Sequence, residues 1–213
     1  MPQDTTAQPS LKDRIVQPIN EGARKVPAWL LYIVSVIPPV WLFVAALMGQ
    51  LGVDPVKRME HQMGEWALWL LIAGLAITPL RKHLGINLIK FRRAIGVITF
   101  FYVLWHFLIW LVLDVQIMSQ ILADIIKRPY VTVGFAAFIM LIPLAVTSNN
   151  WSVRKLGPGW RKLHELVYAA VILGALHYIM LVKGFQLEPY IYMAVILGLL
   201  ALRVPDWMKR WKR

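Results

Sequence analysis

The chain has 213 residues, 59% hydrophobic and 16% charged, with a mean hydropathy of +0.59; that balance excludes a water-soluble globule and leaves no room beside its membrane spans for a separate soluble catalytic domain. With no cysteine, thiol catalysis, disulfides, Cys-ligated zinc and iron–sulfur clusters are excluded, so a bound metal has to be held by His, Met or carboxylate. The net charge of +12 sits between apolar runs, where it points to topology against anionic lipid and not to a nucleic-acid partner.

Residues 1–10 are polar and aperiodic and are expected to be disordered; residues 11–26 are mixed and basic and fit a short helix along the interface, completing an amino-terminal cytoplasmic tail. The first span covers 27–48 and contains Pro38-Pro39, which should kink or break it because neither proline can donate a backbone hydrogen bond. Further apolar runs follow at 66–80, 94–113, 130–146, 163–182 and 189–204. The second and sixth are short for a hydrocarbon core of about 30 Å, so they extend into their flanks or stand nearly upright. Residues 205–213 form a basic tail. No internal repeat or linker is apparent. The expected fold is an all-α integral membrane protein, a six-transmembrane-helix bundle over 27–204.

Of the 23 Lys and Arg, 18 fall in the two tails and the second and fourth loops, whereas the opposite side holds only Lys57, Arg58, Lys127, Arg128 and Lys183. This alternating bias predicts both termini in the cytoplasm. Trp and Tyr residues near the span ends fit an aromatic belt.

Ionisable groups inside spans are costly in hydrocarbon, which singles out His106 and His177. They lie 13 residues beyond Arg93 and 15 beyond Lys162 on spans that both run outward, about 20 and 22 Å along a helix, so the two imidazoles share a depth towards the outer leaflet. An apolar slot with one imidazole on each wall suits b-type haem, whose ring buries a large apolar area while His nitrogens fill both axial positions. Interhelical packing by buried histidines and a proton relay in a transporter or channel are the alternatives. His164 precedes His177 by 13 residues, about 20 Å, a suitable spacing for a second centre at the inner leaflet. On an ideal helix the two side chains point about 140° apart, so a shared face requires a π-bulge or bend, with Gly174 as a place for one. The matching depth on the third span holds Arg92 and Arg93, not a histidine. These arginines form a basic inner rim that topology explains, or that holds anionic groups such as haem propionates or a flavin phosphate. His61, with Glu60, Glu65 and Asp54, is expected in an exposed outer loop, and His83 in a basic inner loop.

The chain resembles the MsrQ family, formerly YedZ, through Asp54-Pro55-Val56-Lys57, Ile77-Thr78-Pro79-Leu80, Arg92-Arg93-x-x-Gly96 with His106, Arg128-Pro129-Tyr130, Thr147-Ser148, and Leu156-Gly157-x-x-Trp160-x-x-Leu163-His164 followed by His177-Tyr178. More remotely it is similar to the ferric reductase and NADPH oxidase transmembrane domain, from which it departs by lacking a second histidine on its third span. The resemblance implies a haem b subunit of the bacterial inner membrane, with His106, His164 and His177 as haem-associated histidines. It implies electrons taken from the quinone pool, with FMN involved, and passed to a molybdenum-containing periplasmic partner, MsrP, which reduces methionine sulfoxide. Such a chain is an electron-transfer subunit with no catalytic residue of its own for sulfoxide reduction. The partner is expected at the long outer loop, residues 114–128.

Overall fold

The structure, a computed structural model, describes residues 11–204; the expectations for 1–10 and 205–213 lie outside the described residues. Helix α1 (Leu11–Lys25) is amphipathic. It docks on the connection between the second and third spans: the Asn20 side chain donates to the Gly85 carbonyl at 3.0 Å and accepts from the Asn87 amide at 2.8 Å, and Lys90 Nζ donates to the Arg24 carbonyl at 2.9 Å.

The first span breaks into α2 (Trp29–Val34) and α3 (Ile37–Leu47), with the prolines in the first turn of α3. Pro39 cannot donate to the carbonyl of Ser35 four residues earlier; the Tyr102 hydroxyl takes its place at 2.6 Å, which ties the break to the third span. Most of α2 and α3 is exposed, including Ile33, Ile37, Trp41 and Phe43, an apolar face fit to meet lipid.

Helix α4 (Pro55–Pro79) starts earlier than its apolar run. Asp54 caps it by accepting from the Lys57 amide at 3.1 Å, and Pro55 fits its first position. Residues 55–65, expected as an exposed loop, are therefore helical: Met59 and Met63 are buried on one side while Lys57, Glu60 and His61 share the other. At its far end a π-helical turn (Leu80–Leu84) carries His83 and stops at Gly85, whose φ of 80° suits a residue without Cβ. The whole stretch spans 30 residues, so the second span is not short.

Helix α5 (Arg92–Leu108) likewise runs into a π-helical turn, Ile109–Val115, that ends at Gln116 with φ 61°. The connection expected as a loop over 114–128 contains α6 (Met118–Lys127), followed by α7 (Pro129–Val146) and α8 (Asn150–Leu156). The fifth span is divided into α9 (Pro158–His164) and α10 (Leu166–Leu181) by a turn at Glu165. The helix gives way there, next to His164, and not at Gly174, which lies within α10. Helix α11 (Leu187–Ala201) completes the described chain. Among the described residues five helical stretches are long and apolar enough to cross a membrane; α11 is apolar but has 15 residues, about 22 Å.

The most extensive contacts pair α4 with α5 and α7 with α10. Leu68, Leu71 and Leu75 of α4, Leu141 and Leu144 of α7, Ala170, Val171 and Ala175 of α10, and Ile196 and Leu200 of α11 join in one buried cluster that holds the two pairs together. Arg203, counted from the sequence among the inner-side cations at the carboxy-terminal end of the sixth span, is 6% exposed. Its guanidinium donates to the Leu75 carbonyl and, at 3.1 Å, to the Tyr168 hydroxyl, fastening the end of α11 to α4 and α10.

Candidate functional site

His106 sits near the end of α5 and His177 near the end of α10, and their ring centroids are 6.1 Å apart with the planes at 75°. Each ring is held by the other helix of its own pair. His106 Nδ1 donates to the Glu60 carbonyl of α4 at 2.8 Å, and His177 Nδ1 donates to the Tyr130 carbonyl of α7 at 2.7 Å. A helical carbonyl is normally shielded by the side chain four residues on. Here those residues are Gly64 and Gly134, and a Cβ built on them would lie only 3.0 Å from His106 Nδ1 and 2.7 Å from His177 Nδ1.

The arrangement repeats. Each unit has a carbonyl, a glycine four residues later, and a histidine on the next span; His106 follows Gly64 by 42 residues and His177 follows Gly134 by 43. The hairpins α4–α5 and α7–α10 thus each present one histidine to the same cavity, although they share no run of residue types around Glu60 and Tyr130.

Donation from Nδ1 has a chemical consequence. A neutral imidazole that gives its Nδ1 proton to a carbonyl keeps a lone pair on Nε2, at the far side of the ring, available to a metal. A two-sided metal needs about 2 Å for each metal–nitrogen bond and about 1.1 Å from each nitrogen to its ring centre, a span of roughly 6.2 Å. The observed 6.1 Å fits. Among the described residues no group of three or more His, Asp or Glu could hold a metal ion by itself, so the pair suits a metal already carried in a macrocycle.

The cavity of about 860 Å³ is deep enough for one. Towards mid-bundle it is walled by Leu68, Leu71, Phe138, Leu141 and Ala170, with Phe107 and Trp110 beside the histidines. At the end formed by the starts of α4, α7 and α11 it opens between Lys57, Arg58, Glu60, Glu65, Arg128, Lys183 and Glu188. There Tyr192 gathers a network that the sequence did not suggest: its hydroxyl accepts from Trp69 Nε1 at 2.7 Å and meets Glu188 at 2.8 Å and Glu65 at 3.4 Å.

The chain matches the family model described as ferric reductase like transmembrane component over residues 63–175. It is 48% identical over 177 residues to a Brucella ovis protein named "Protein-methionine-sulfoxide reductase heme-binding subunit MsrQ", covering 83% of this chain and 80% of the relative. A Brucella anthropi protein of the same name is 48% identical over 187 residues, 87% of this chain and 84% of that one. This chain belongs to the MsrQ family. No solved structure matches it.

In this MsrQ-family chain His164, Arg92 and Arg93 lie apart from the two-histidine cavity, whereas Glu60, His61 and Glu65, expected in an exposed outer loop, line it. His164 stacks on Trp160 with centroids 3.9 Å apart, and its Nε2 is 3.0 Å from Thr147 Oγ1. The Thr147 hydroxyl proton is used on the Pro143 carbonyl at 2.6 Å, so the imidazole is the donor and Nε2 carries its proton. Trp160 Nε1 donates to the Thr147 carbonyl at 2.8 Å. Two segments that carry the MsrQ resemblance, Thr147-Ser148 and residues 156–164, thereby meet in one cluster at the opposite end of the bundle. Arg93 donates to Asn150 Oδ1 at 2.7 Å. Arg92 and Arg93 precede His106 by 14 and 13 residues, about 20 Å along α5, and neither lines the cavity.

Proposed function

We propose that this chain is the haem-carrying membrane subunit of a methionine sulfoxide reductase system and conducts electrons across the bacterial inner membrane. The reading takes the chain as six spans with both termini in the cytoplasm, on the 18 to 5 partition of Lys and Arg. The two-histidine cavity then opens to the periplasm. One observation carries the proposal: two imidazoles on separate hairpins, 6.1 Å apart, each with Nδ1 committed to a backbone carbonyl. Haem b, when bound, supplies a one-electron carrier between ferric and ferrous iron. His106 and His177 would hold its iron, the carbonyls of Glu60 and Tyr130 fix the tautomers of the two rings, and Phe107, Phe138, Leu71 and Leu141 would exclude water from the site.

The named relatives support the haem and the methionine sulfoxide reductase system. Within that system we assign the periplasmic molybdenum subunit MsrP as electron acceptor and the quinone pool as source, with FMN as a further carrier; sulfoxide chemistry belongs to MsrP. Residues 114–128, including α6, are assigned to the MsrP contact. A proton relay in a transporter is disfavoured because each buried Nδ1 ends on a backbone carbonyl, which cannot pass a proton onward.

Purified protein is expected to show a reducible b-type spectrum and a pyridine haemochrome yield of one haem per chain, lost on His106→Ala or His177→Ala. A yield of two that falls to one on His164→Ala would place a second centre at His164, with Arg92 and Arg93 as its anionic-group partners. A colourless, folded preparation from haem-replete cells would overturn the proposal.

A further inference from the structure

The cavity is chemically lopsided. Its deep end is walled by leucine, phenylalanine and alanine, whereas four cations, Lys57, Arg58, Arg128 and Lys183, ring its mouth. These are four of the five Lys and Arg on that side of the bundle. Topological sorting depletes cations there and gives no reason for the remainder to gather around one opening. Lys57 stands 3.7 Å from Asp54 and Arg128 3.0 Å from Asp124, while Arg58 and Lys183 make no ion pair within 4 Å among the described residues. Of the acidic residues at the mouth, Glu65 and Glu188 are engaged with the Tyr192 hydroxyl, and Glu60 and Asp114 stand beside them.

Haem is an apolar disc with two propionate carboxylates on one edge. An unpaired carboxylate is strongly disfavoured against leucine and phenylalanine but is stabilised by guanidinium and ammonium donors. We propose that Arg58 and Lys183 are the counter-ions of the haem propionates, with Lys57 and Arg128 beside them, so that the carboxylate edge of the ring faces the periplasmic mouth. The inference rests on the haem reading above. It removes the inner rim as the propionate site of this haem, since Arg92 and Arg93 lie about 20 Å away along α5. It also gives the outer cations a role in cofactor retention.

The test uses the full chain made in haem-deficient cells and titrated with protohaem or with its dimethyl ester, which lacks the two negative charges, followed at the Soret band. Exposed pairs contribute up to roughly fivefold each, so the wild type is expected to favour protohaem by about 2- to 25-fold. The Arg58→Gln/Lys183→Gln variant should bind both pigments with the affinity the wild type has for the ester. Its reduction potential should fall, because removing positive charge favours the ferric form. Arg92→Gln/Arg93→Gln should keep the full preference. Equal wild-type affinity for acid and ester, a preference that survives in Arg58→Gln/Lys183→Gln, or one abolished by Arg92→Gln/Arg93→Gln overturns the inference while leaving the haem reading intact. Failure of either pigment to give a low-spin spectrum, or binding unchanged by His106→Ala, overturns both.

Discussion

Replacing Gly134 by alanine isolates the device that aims His177. The added Cβ would sit 2.7 Å from Nδ1, whereas ordinary contact begins near 3.4 Å. The ring must therefore retreat by about 0.7 Å, which stretches its 2.7 Å bond to the Tyr130 carbonyl to as much as about 3.4 Å, at the weak limit of hydrogen bonding. Weakening of that bond costs up to about 0.5–1.5 kcal/mol and local overpacking about 1–3 kcal/mol. Alanine returns about 0.8–1.0 kcal/mol of helix propensity, so the fold should lose at most a few kcal/mol. Haem feels the displacement directly: a net penalty of about 1.4–3 kcal/mol on the ligand position weakens retention by roughly 10- to 100-fold. At Gly64 the Cβ would lie 3.0 Å from His106 Nδ1, so a smaller shift of about 0.4 Å and a smaller effect are expected. Gly198, with nothing within 4 Å of its built Cβ, is the control. The assay is haem transfer to excess apomyoglobin, followed at the Soret band, with high-spin absorption as a second readout. The order of loss should be Gly134→Ala, then Gly64→Ala, then Gly198→Ala at the wild-type rate. If Gly134→Ala holds haem as tightly as wild type, the cradle reasoning is refuted.

Three further outcomes follow from contacts outside the cradle. Tyr102→Phe deprives the Ser35 carbonyl of its partner at the proline break and should lower stability by about 1–2 kcal/mol in a thermal melt, with haem content unchanged. Arg203→Met removes the clamp on Leu75 and Tyr168; a loss of about 3 kcal/mol is expected, and protease cleavage near the end of α11 should quicken. Thr147→Val removes the acceptor of the His164 proton and should lower the melting temperature without moving the Soret band of the haem at His106 and His177; a spectral change there would tie His164 to that haem.

The span pattern was legible wherever hydrophobicity alone decides it. Residues 130–146 coincide with α7 to within a residue because Arg128 and Pro129 punctuate its start. The beginning of α4 was not legible, because its first turns carry Lys57, Arg58 and Glu60, which read as loop until their burial partners Met59 and Met63 are known. The shared depth of His106 and His177 came from counting residues from the basic loops. Their carbonyl partners could not be found that way, since a backbone oxygen leaves no mark in the sequence. The one available signal was a glycine in each preceding span, 42 and 43 residues before its histidine. The break after His164 was sought at Gly174, where flexibility suggested it, yet it lies where Trp160 and Thr147 hold the imidazole.

Electron paramagnetic resonance of the ferric protein tests the central claim most directly, because axial imidazole planes crossing at a steep angle give a strongly anisotropic low-spin signal. With ring planes at 75°, the wild type should give that signal, and His106→Ala and His177→Ala should each abolish it. A high-spin wild-type spectrum, or a low-spin signal that survives loss of either histidine, would contradict the account.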